Sequence, residues 1–72
     1  MRVFCKLKGL MDAKGITQLA LAEATGLAPS TIGRLYRNQV TRIDTSTVIA
    51  LSEFFDLQSI SELLELERKE ND

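Results

Sequence analysis

Apolar residues recur three and four positions apart along most of the chain, which is the spacing of an amphipathic helix. The first such stretch covers residues 3–14, and Gly15 predicts its end because glycine readily adopts the left-handed backbone that follows a last helical turn. The apolar face of this predicted helix consists of Val3, Phe4, Leu7, Leu10 and Met11.

Two further predicted helices, over residues 18–25 and 29–37, are separated by a short turn. Thr17 is a good N-cap for the first of them, since its hydroxyl can accept from the backbone N–H groups that follow. Gly26 predicts the end of that helix, and Pro29 is suited to the first position of the next one. Two short helices that meet at a glycine indicate a helix-turn-helix.

The second half of the chain predicts two more helices. Asp44 precedes an apolar pattern and is the expected N-cap of a helix over residues 45–55. Ser59 followed three residues later by Glu62 is a capping box, which predicts a last helix over residues 60–67. No strand pattern stands out, so the expected fold is all-α, a compact bundle of about five short helices.

The composition is that of one ordinary globular domain over residues 1–72. Hydrophobic residues make up 44% of the chain and charged residues 26%. No apolar run approaches the roughly 20 residues of a membrane helix, and no secretion signal is recognisable at the N-terminus. A cytoplasmic location without membrane contact is therefore expected. A fold this small buries little surface, so dimerisation would stabilise it.

Catalysis and metal binding have little support in the residue types. The chain has no histidine and one cysteine, Cys5, which is expected to be a small buried hydrophobe. No spacing resembles a metal site or a phosphate-binding loop. We therefore expect neither an enzyme nor a cofactor.

The charges are distributed unevenly. Residues 1–42 contain seven basic and two acidic residues, a net charge of +5, whereas residues 43–72 contain two basic and eight acidic residues, a net charge of −6. The total of −1 is low for a protein that binds the phosphates of a nucleic acid. The asymmetry nevertheless allows a basic face to meet DNA while the acidic half points away.

The stretch from residue 17 to residue 38 resembles the helix-turn-helix of the Xre/Cro-repressor family, the lambda-repressor-like DNA-binding domains. The resemblance extends over nearly the whole chain, through the segments 7–11, 14–18, 35–38 and 42–44. Its spaced signature residues are Gln18, Ala22, Gly26, Ile32 and Leu35. The resemblance implies a double-stranded DNA partner and no small-molecule cofactor.

The resemblance also implies which side chains contact the bases. Family members read the major groove from the first turns of the second helix of the motif, which here assigns base contacts to Pro29, Ser30, Gly33 and Arg34. Arg34 is the strongest candidate, because a guanidinium can donate two hydrogen bonds to guanine. Gly33 would allow close approach of DNA to the backbone, and close packing on another helix is the alternative.

Phosphate contacts are implied at the start of helix 18–25 and around the end of helix 29–37. Helix N-termini attract anions, and in the family the start of the first helix of the motif holds a phosphate. The candidate ligands are Thr17, Gln18, Thr31, Tyr36, Arg37, Asn38, Thr41 and Arg42. For Arg37 and Arg42 the alternative is a solvated surface charge, and for Tyr36 it is a ring that covers the core.

A single recognition helix contacts few base pairs, so a two-fold homodimer on two half-sites is expected. The candidate interface residues are apolar positions beyond the expected core: Ile49, Phe54, Leu64 and Leu66. Leu19 is another apolar residue expected at the surface, and it either belongs to a partner surface or is an ordinary isolated leucine.

Two functions remain open from the sequence. The first is a sequence-specific transcriptional regulator, most simply a repressor, that reads DNA with helix 29–37. The second is a protein-interaction module of the same fold, antitoxin-like or an adaptor, that binds no operator. The low net charge, Ala28 in place of a capping residue and the apolar surface candidates favour the second. Arg34, Arg37 and Arg42 favour the first.

Overall fold

Four α-helices form most of the fold in the computed structural model, which describes residues 1–68. A short 3-10 helix and a two-stranded sheet complete it. The helices are α1 (Leu7–Lys14), α2 (Gln18–Thr25), α3 (Pro29–Tyr36) and α4 (Thr45–Phe55). The bounds of α2 and α4 coincide with those that the periodicity predicts, and α3 ends one residue earlier than expected.

The core collects buried side chains from every α-helix and from both ends of the described chain. Its members are Cys5, Leu7, Met11, Leu21, Ala22, Ile32, Leu35, Leu51 and Leu63. Leu27, in the turn between α2 and α3, is only partly buried against this core. The packing fixes α2 and α3 relative to each other, because each of these helices contributes at least two of the buried residues.

The N-terminal residues form a strand, so the prediction of a helix over residues 3–14 is wrong before residue 7. Strand β1 comprises Arg2–Cys5, and α1 begins at Leu7. Val3 and Phe4 are residue types that favour strands. Over so few positions a helical spacing does not distinguish the two structures, and the partner strand decides between them.

The partner is strand β2, Leu64–Glu67, which replaces most of the helix predicted over residues 60–67. Its sequence alternates leucine and glutamate, which is the period of a strand with two different faces. β1 and β2 are antiparallel, with Val3 opposite Leu66. The described fold is therefore predominantly helical with a small sheet, and not the all-α bundle of five helices that was expected.

The capping box at residue 59 is present, but it begins only one helical turn. The Glu62 carboxylate accepts from the N–H groups of Gln58 at 2.6 Å and Ser59 at 3.0 Å. The 3-10 helix Ile60–Glu62 follows, and the Leu63 carbonyl then accepts from Lys6 N–H at 2.7 Å. This last hydrogen bond pairs Leu63 with the residue that follows β1, so the helix does not continue beyond Glu62.

The other predicted helix ends are mostly confirmed. Thr17 caps α2, its hydroxyl accepting from Ala20 N–H at 3.1 Å. Gly15 and Gly26 end α1 and α2 with left-handed backbones. Asp44 occupies the N-cap position of α4, but its carboxylate makes no capping hydrogen bond. It therefore lacks the side-chain interaction that its position led us to expect.

Candidate nucleic-acid interface

The contact between α2 and α3 depends on small and fully buried residues. Ala22 is buried on the inner face of α2, and Leu21 beside it and Ile32 on α3 are completely buried. The turn between the helices begins at Gly26, whose φ is 76° and whose N–H donates to the Ala22 carbonyl at 2.9 Å. This arrangement holds α3 against α2 while one side of α3 stays open to solvent.

Three of the four residues expected to contact bases lie on that open side. Pro29 is the first residue of α3, and Pro29, Ser30 and Arg34 are all exposed. Ala28 supplies no capping hydrogen bond. Gly33 differs from the other three, because it is buried and therefore offers no open surface to a base.

Arg34 lies in a cleft of about 310 Å³ between α3 and the start of α4. Arg42, from the loop that joins these helices, lines the same cleft, as does the predicted phosphate ligand Thr31. The other lining residues are Leu35, Gln39, Ile43, Asp44 and Thr47. Among residues 1–68 neither guanidinium forms an ion pair, so both are available to an external anion.

A second group of candidates meets where α2 begins. Gln18, the first residue of α2, and Arg37, which follows α3, both lie over Gly33. A Cβ atom at residue 33 would be 3.2 Å from Arg37 Nη1 and 3.5 Å from Gln18 Oε1. The structure therefore brings together two predicted phosphate ligands, one from each helix of the motif. Thr17 is adjacent, and its hydroxyl already caps α2.

Two other predicted phosphate ligands have interactions within the protein. Asn38 is half-buried, and its Oδ1 accepts from Cys5 N–H at 2.7 Å, which links the end of α3 to β1. Tyr36 packs partly buried against the core, and Lys8 Nζ lies 5.7 Å from the centre of its ring. Thr41 is exposed in the loop and is not one of the residues that line the cleft.

The basic half of the chain is partly neutralised. Arg2 Nε lies 2.6 Å from Glu67 Oε1, and Lys6 Nζ lies 3.4 Å from Glu65 Oε2, across the sheet. Lys8 Nζ donates to the Asp12 carboxylate at 3.1 Å, and this hydrogen bond raises the pKa of Lys8. Around α3, by contrast, no ion pair within residues 1–68 involves Arg34, Arg37 or Arg42.

The four candidate dimer residues do not form one exposed set. Ile49 on α4 is 56% exposed and Leu66 on β2 is 67% exposed. Phe54 packs partly buried against the core, with its ring edge-on to Phe55 at 5.0 Å and Lys14 Nζ at 5.3 Å from its centre. Leu64 is also partly buried.

Three residues that lie beside the candidate DNA-contacting residues were not predicted from the sequence. Lys8 reaches the Tyr36 ring, and its only sequence signal, an acidic residue four positions later, is that of an ordinary surface ion pair. Gln39 and Thr47 line the cleft of Arg34. They approach Arg34 through the loop and the start of α4, so no local pattern marks them.

Along residues 1–68, no helix combines the length and the apolar character needed to cross a membrane. In the same part of the chain, no three His, Cys, Asp or Glu side chains are grouped as they would be around a metal ion.

The braced helices and the open face of α3 define a small helix-turn-helix domain. A family model described as the Cro/C1-type HTH DNA-binding domain matches residues 6–69. The chain belongs to this family, as the sequence signature predicts. No curated protein and no solved structure gives a significant match to it.

Proposed function

We propose that this protein is a sequence-specific transcriptional repressor that places α3 in the major groove of a double-stranded operator. The observation that carries the proposal is the set of three guanidiniums around the open side of α3, those of Arg34, Arg37 and Arg42, each without an ion pair among residues 1–68. Base contacts fall to the exposed Pro29, Ser30 and Arg34.

The two groups of polar residues have different roles in this proposal. At the cleft, Arg34 reads a base while Arg42 and Thr31 bind the phosphates at the edge of the groove. At the start of α2, the leading N–H groups with Gln18 and Arg37 bind a second phosphate region. Contacts on both sides of the reading helix would fix its orientation in the groove.

The deciding experiment is an unbiased selection of duplex DNA by the purified protein, followed by titration of the selected duplex with variants. We expect Arg34→Ala to weaken binding by roughly 10- to 100-fold and to relax the preference at one base pair, since a bidentate guanine contact discriminates by about 1–3 kcal/mol. The matched control is Lys14→Gln, which removes one charge at the end of α1, beside Phe54. Unchanged binding by Arg34→Ala would exclude the reading role.

A homodimer on two half-sites is part of the same proposal. The exposed Ile49 and Leu66 lie on different elements, so the two surfaces can be tested separately. Sedimentation at tens of micromolar should give a dimer that one of the variants Ile49→Glu and Leu66→Glu converts to a monomer. A monomeric wild-type protein would leave DNA as the only means of bringing two copies together.

A protein-interaction module is the second candidate function. Its support is the net charge of −1 together with the exposed Leu19 and Ile49. In that case no duplex would be enriched in the selection, and weak DNA binding would respond identically to Arg34→Ala and to Lys14→Gln.

A further inference from the structure

We propose that Gly33 is a positioning residue: the absence of a side chain at this point lets Gln18 and Arg37 lie together across α3 as joint phosphate ligands. The inference rests on the DNA-binding function proposed above. It replaces the base contact that the sequence assigns to Gly33, because this residue is buried and two side chains cover it.

The backbone of α3 does not require a glycine at this position. Gly15 and Gly26 have φ values of 70° and 76°, in the region that favours glycine, whereas Gly33 has no positive φ and lies inside a helix. Glycine in a helix interior is less favourable than alanine. The reason for glycine must therefore be sought in what a side chain would contact.

A side chain at residue 33 would first contact Arg37. A Cβ atom there would lie 3.2 Å from Arg37 Nη1 and 3.8 Å from Arg37 Cζ, and the first distance is shorter than an ordinary van der Waals contact. Gln18 Oε1, at 3.5 Å, would be in contact without a clash. Because Nη1 is the end of a flexible side chain, alanine would shift the guanidinium by a few tenths of an ångström and leave the helix intact.

A shift of the Arg37 guanidinium would affect phosphate binding because of where this group lies. Gln18 begins α2, whose first N–H groups point to the place where an anion is favoured. Arg37 Nη1 and Gln18 Oε1 lie within 3.5 Å of the same point, so the guanidinium lies close to that helix end. The backbone N–H of Arg37 also donates to the Gly33 carbonyl at 3.1 Å. This hydrogen bond fixes the backbone of Arg37, whose side chain folds back over Gly33.

The test is a double-mutant cycle on the selected duplex, measured by fluorescence anisotropy over a range of salt concentrations. The cycle consists of Gly33→Ala, Arg37→Ala and the double variant. Gly9→Ala is the matched control, because Gly9 lies in α1 and a Cβ atom there would have no neighbour within 4 Å. Thermal unfolding of each variant monitors the fold.

We expect Gly33→Ala to bind about fivefold more weakly and Arg37→Ala about tenfold more weakly than wild type, as for a lost or misplaced charged hydrogen bond. Both should show a weaker dependence on salt, since one phosphate contact is affected. In the Arg37→Ala background, Gly33→Ala should change binding by less than about twofold. Neither glycine substitution should lower the thermal midpoint, and Gly9→Ala should bind as wild type does.

Two results would overturn the positioning role: wild-type affinity of Gly33→Ala, or an equal loss of affinity from Gly33→Ala with and without Arg37. A wild-type protein that binds no duplex would instead overturn the proposed function itself, and this inference with it.

Discussion

Asn38 combines two properties that few residue types can supply together. It follows the end of α3 with a φ of 60°, a left-handed conformation that asparagine tolerates better than most residues. Its Oδ1 also accepts from Cys5 N–H. The conformation could be predicted from the sequence, because it is a local property of a helix end. The hydrogen bond could not, because its donor lies 33 positions away in a strand.

Substitution of Asn38 should separate these two properties. Asn38→Gly keeps the backbone conformation and loses the hydrogen bond, so we expect it to lower the free energy of unfolding by about 1 kcal/mol. Asn38→Ala also strains the backbone and should lower it by about 2 kcal/mol. Urea denaturation would measure both. Equal stability of Asn38→Gly and wild type would show that the bond to Cys5 contributes nothing.

Cys5 gives a prediction about alkaline pH. Burial raises the pKa of its thiol above the ordinary value of 9.0, with a backbone hydrogen bond from Leu7 opposing the shift. The folded state therefore favours the protonated thiol, and this contribution to stability is complete below pH 9 and is lost as the pH rises through the raised pKa. Native protein should also react slowly with thiol reagents at neutral pH.

The measurement is the free energy of unfolding at pH 8 and pH 10.5 for wild type and Cys5→Ala. Every other ionisable group is common to both proteins, so the difference isolates Cys5. We expect wild type to lose more stability between the two pH values than the variant does. An identical loss would show that the thiol titrates alike in the folded and unfolded states.

At the scale of elements, the two strands of the sheet were not predicted from the sequence. The bounds of α2 and α4 follow from caps and periodicity, which are local. β1 and β2 depend on each other, since a four-residue strand has no stability without a partner. The apolar spacing of residues 3–14 favoured a helix at the N-terminus, and a genuine capping box favoured another in place of β2.

Leu63 and Leu66 distinguish the observed strand from the predicted helix. In a helix these residues, three apart, would share one face, but here Leu63 is fully buried and Leu66 is 67% exposed. Leu63→Ala should lower the free energy of unfolding by about 2–4 kcal/mol, as for a buried leucine. Leu66→Ala should change it by less than about 0.5 kcal/mol when the protein is monomeric and dilute. Comparable losses would support the helix.

The candidate site, like the fold, was predicted only in part from the sequence. Family resemblance placed Arg34, Ser30 and Pro29 on a face that the structure finds open. It also placed Gly33 there, where the side chains of Gln18 and Arg37 cover it. Whether long side chains cover a residue depends on their rotamers and on the angle between two helices. The spacing of residues in the sequence predicts neither.

At the scale of the whole molecule, the ion pairs of the sheet determine how much positive charge DNA meets. Arg2 and Lys6 belong to the basic half, but Glu67 and Glu65 hold them in exposed pairs. Such pairs contribute little to stability. The two glutamates offset the charges of Arg2 and Lys6, and a net charge of −1 limits attraction to arbitrary DNA.

The double variant Glu65→Gln/Glu67→Gln should therefore strengthen binding to a scrambled duplex. It raises the net charge by two, and we expect tighter non-specific binding at about 20 mM salt and little change at 150 mM, where the Debye length falls to about 8 Å. Titration of scrambled and selected duplexes at both salt concentrations measures this. If the sheet carboxylates do not influence DNA, the scrambled-duplex affinity at low salt will match that of wild type.

The antiparallel register that places Arg2 opposite Glu67 also constrains how quickly the domain can fold. The helices consist of local contacts, which form fast, whereas the sheet must close a loop of about 60 residues before its bonds can form. Leu63 enters the core with this closure, so the helical part cannot become fully packed earlier. Because the entropy of closing a loop grows only logarithmically with its length, a few residues added between α3 and α4 should scarcely slow this step.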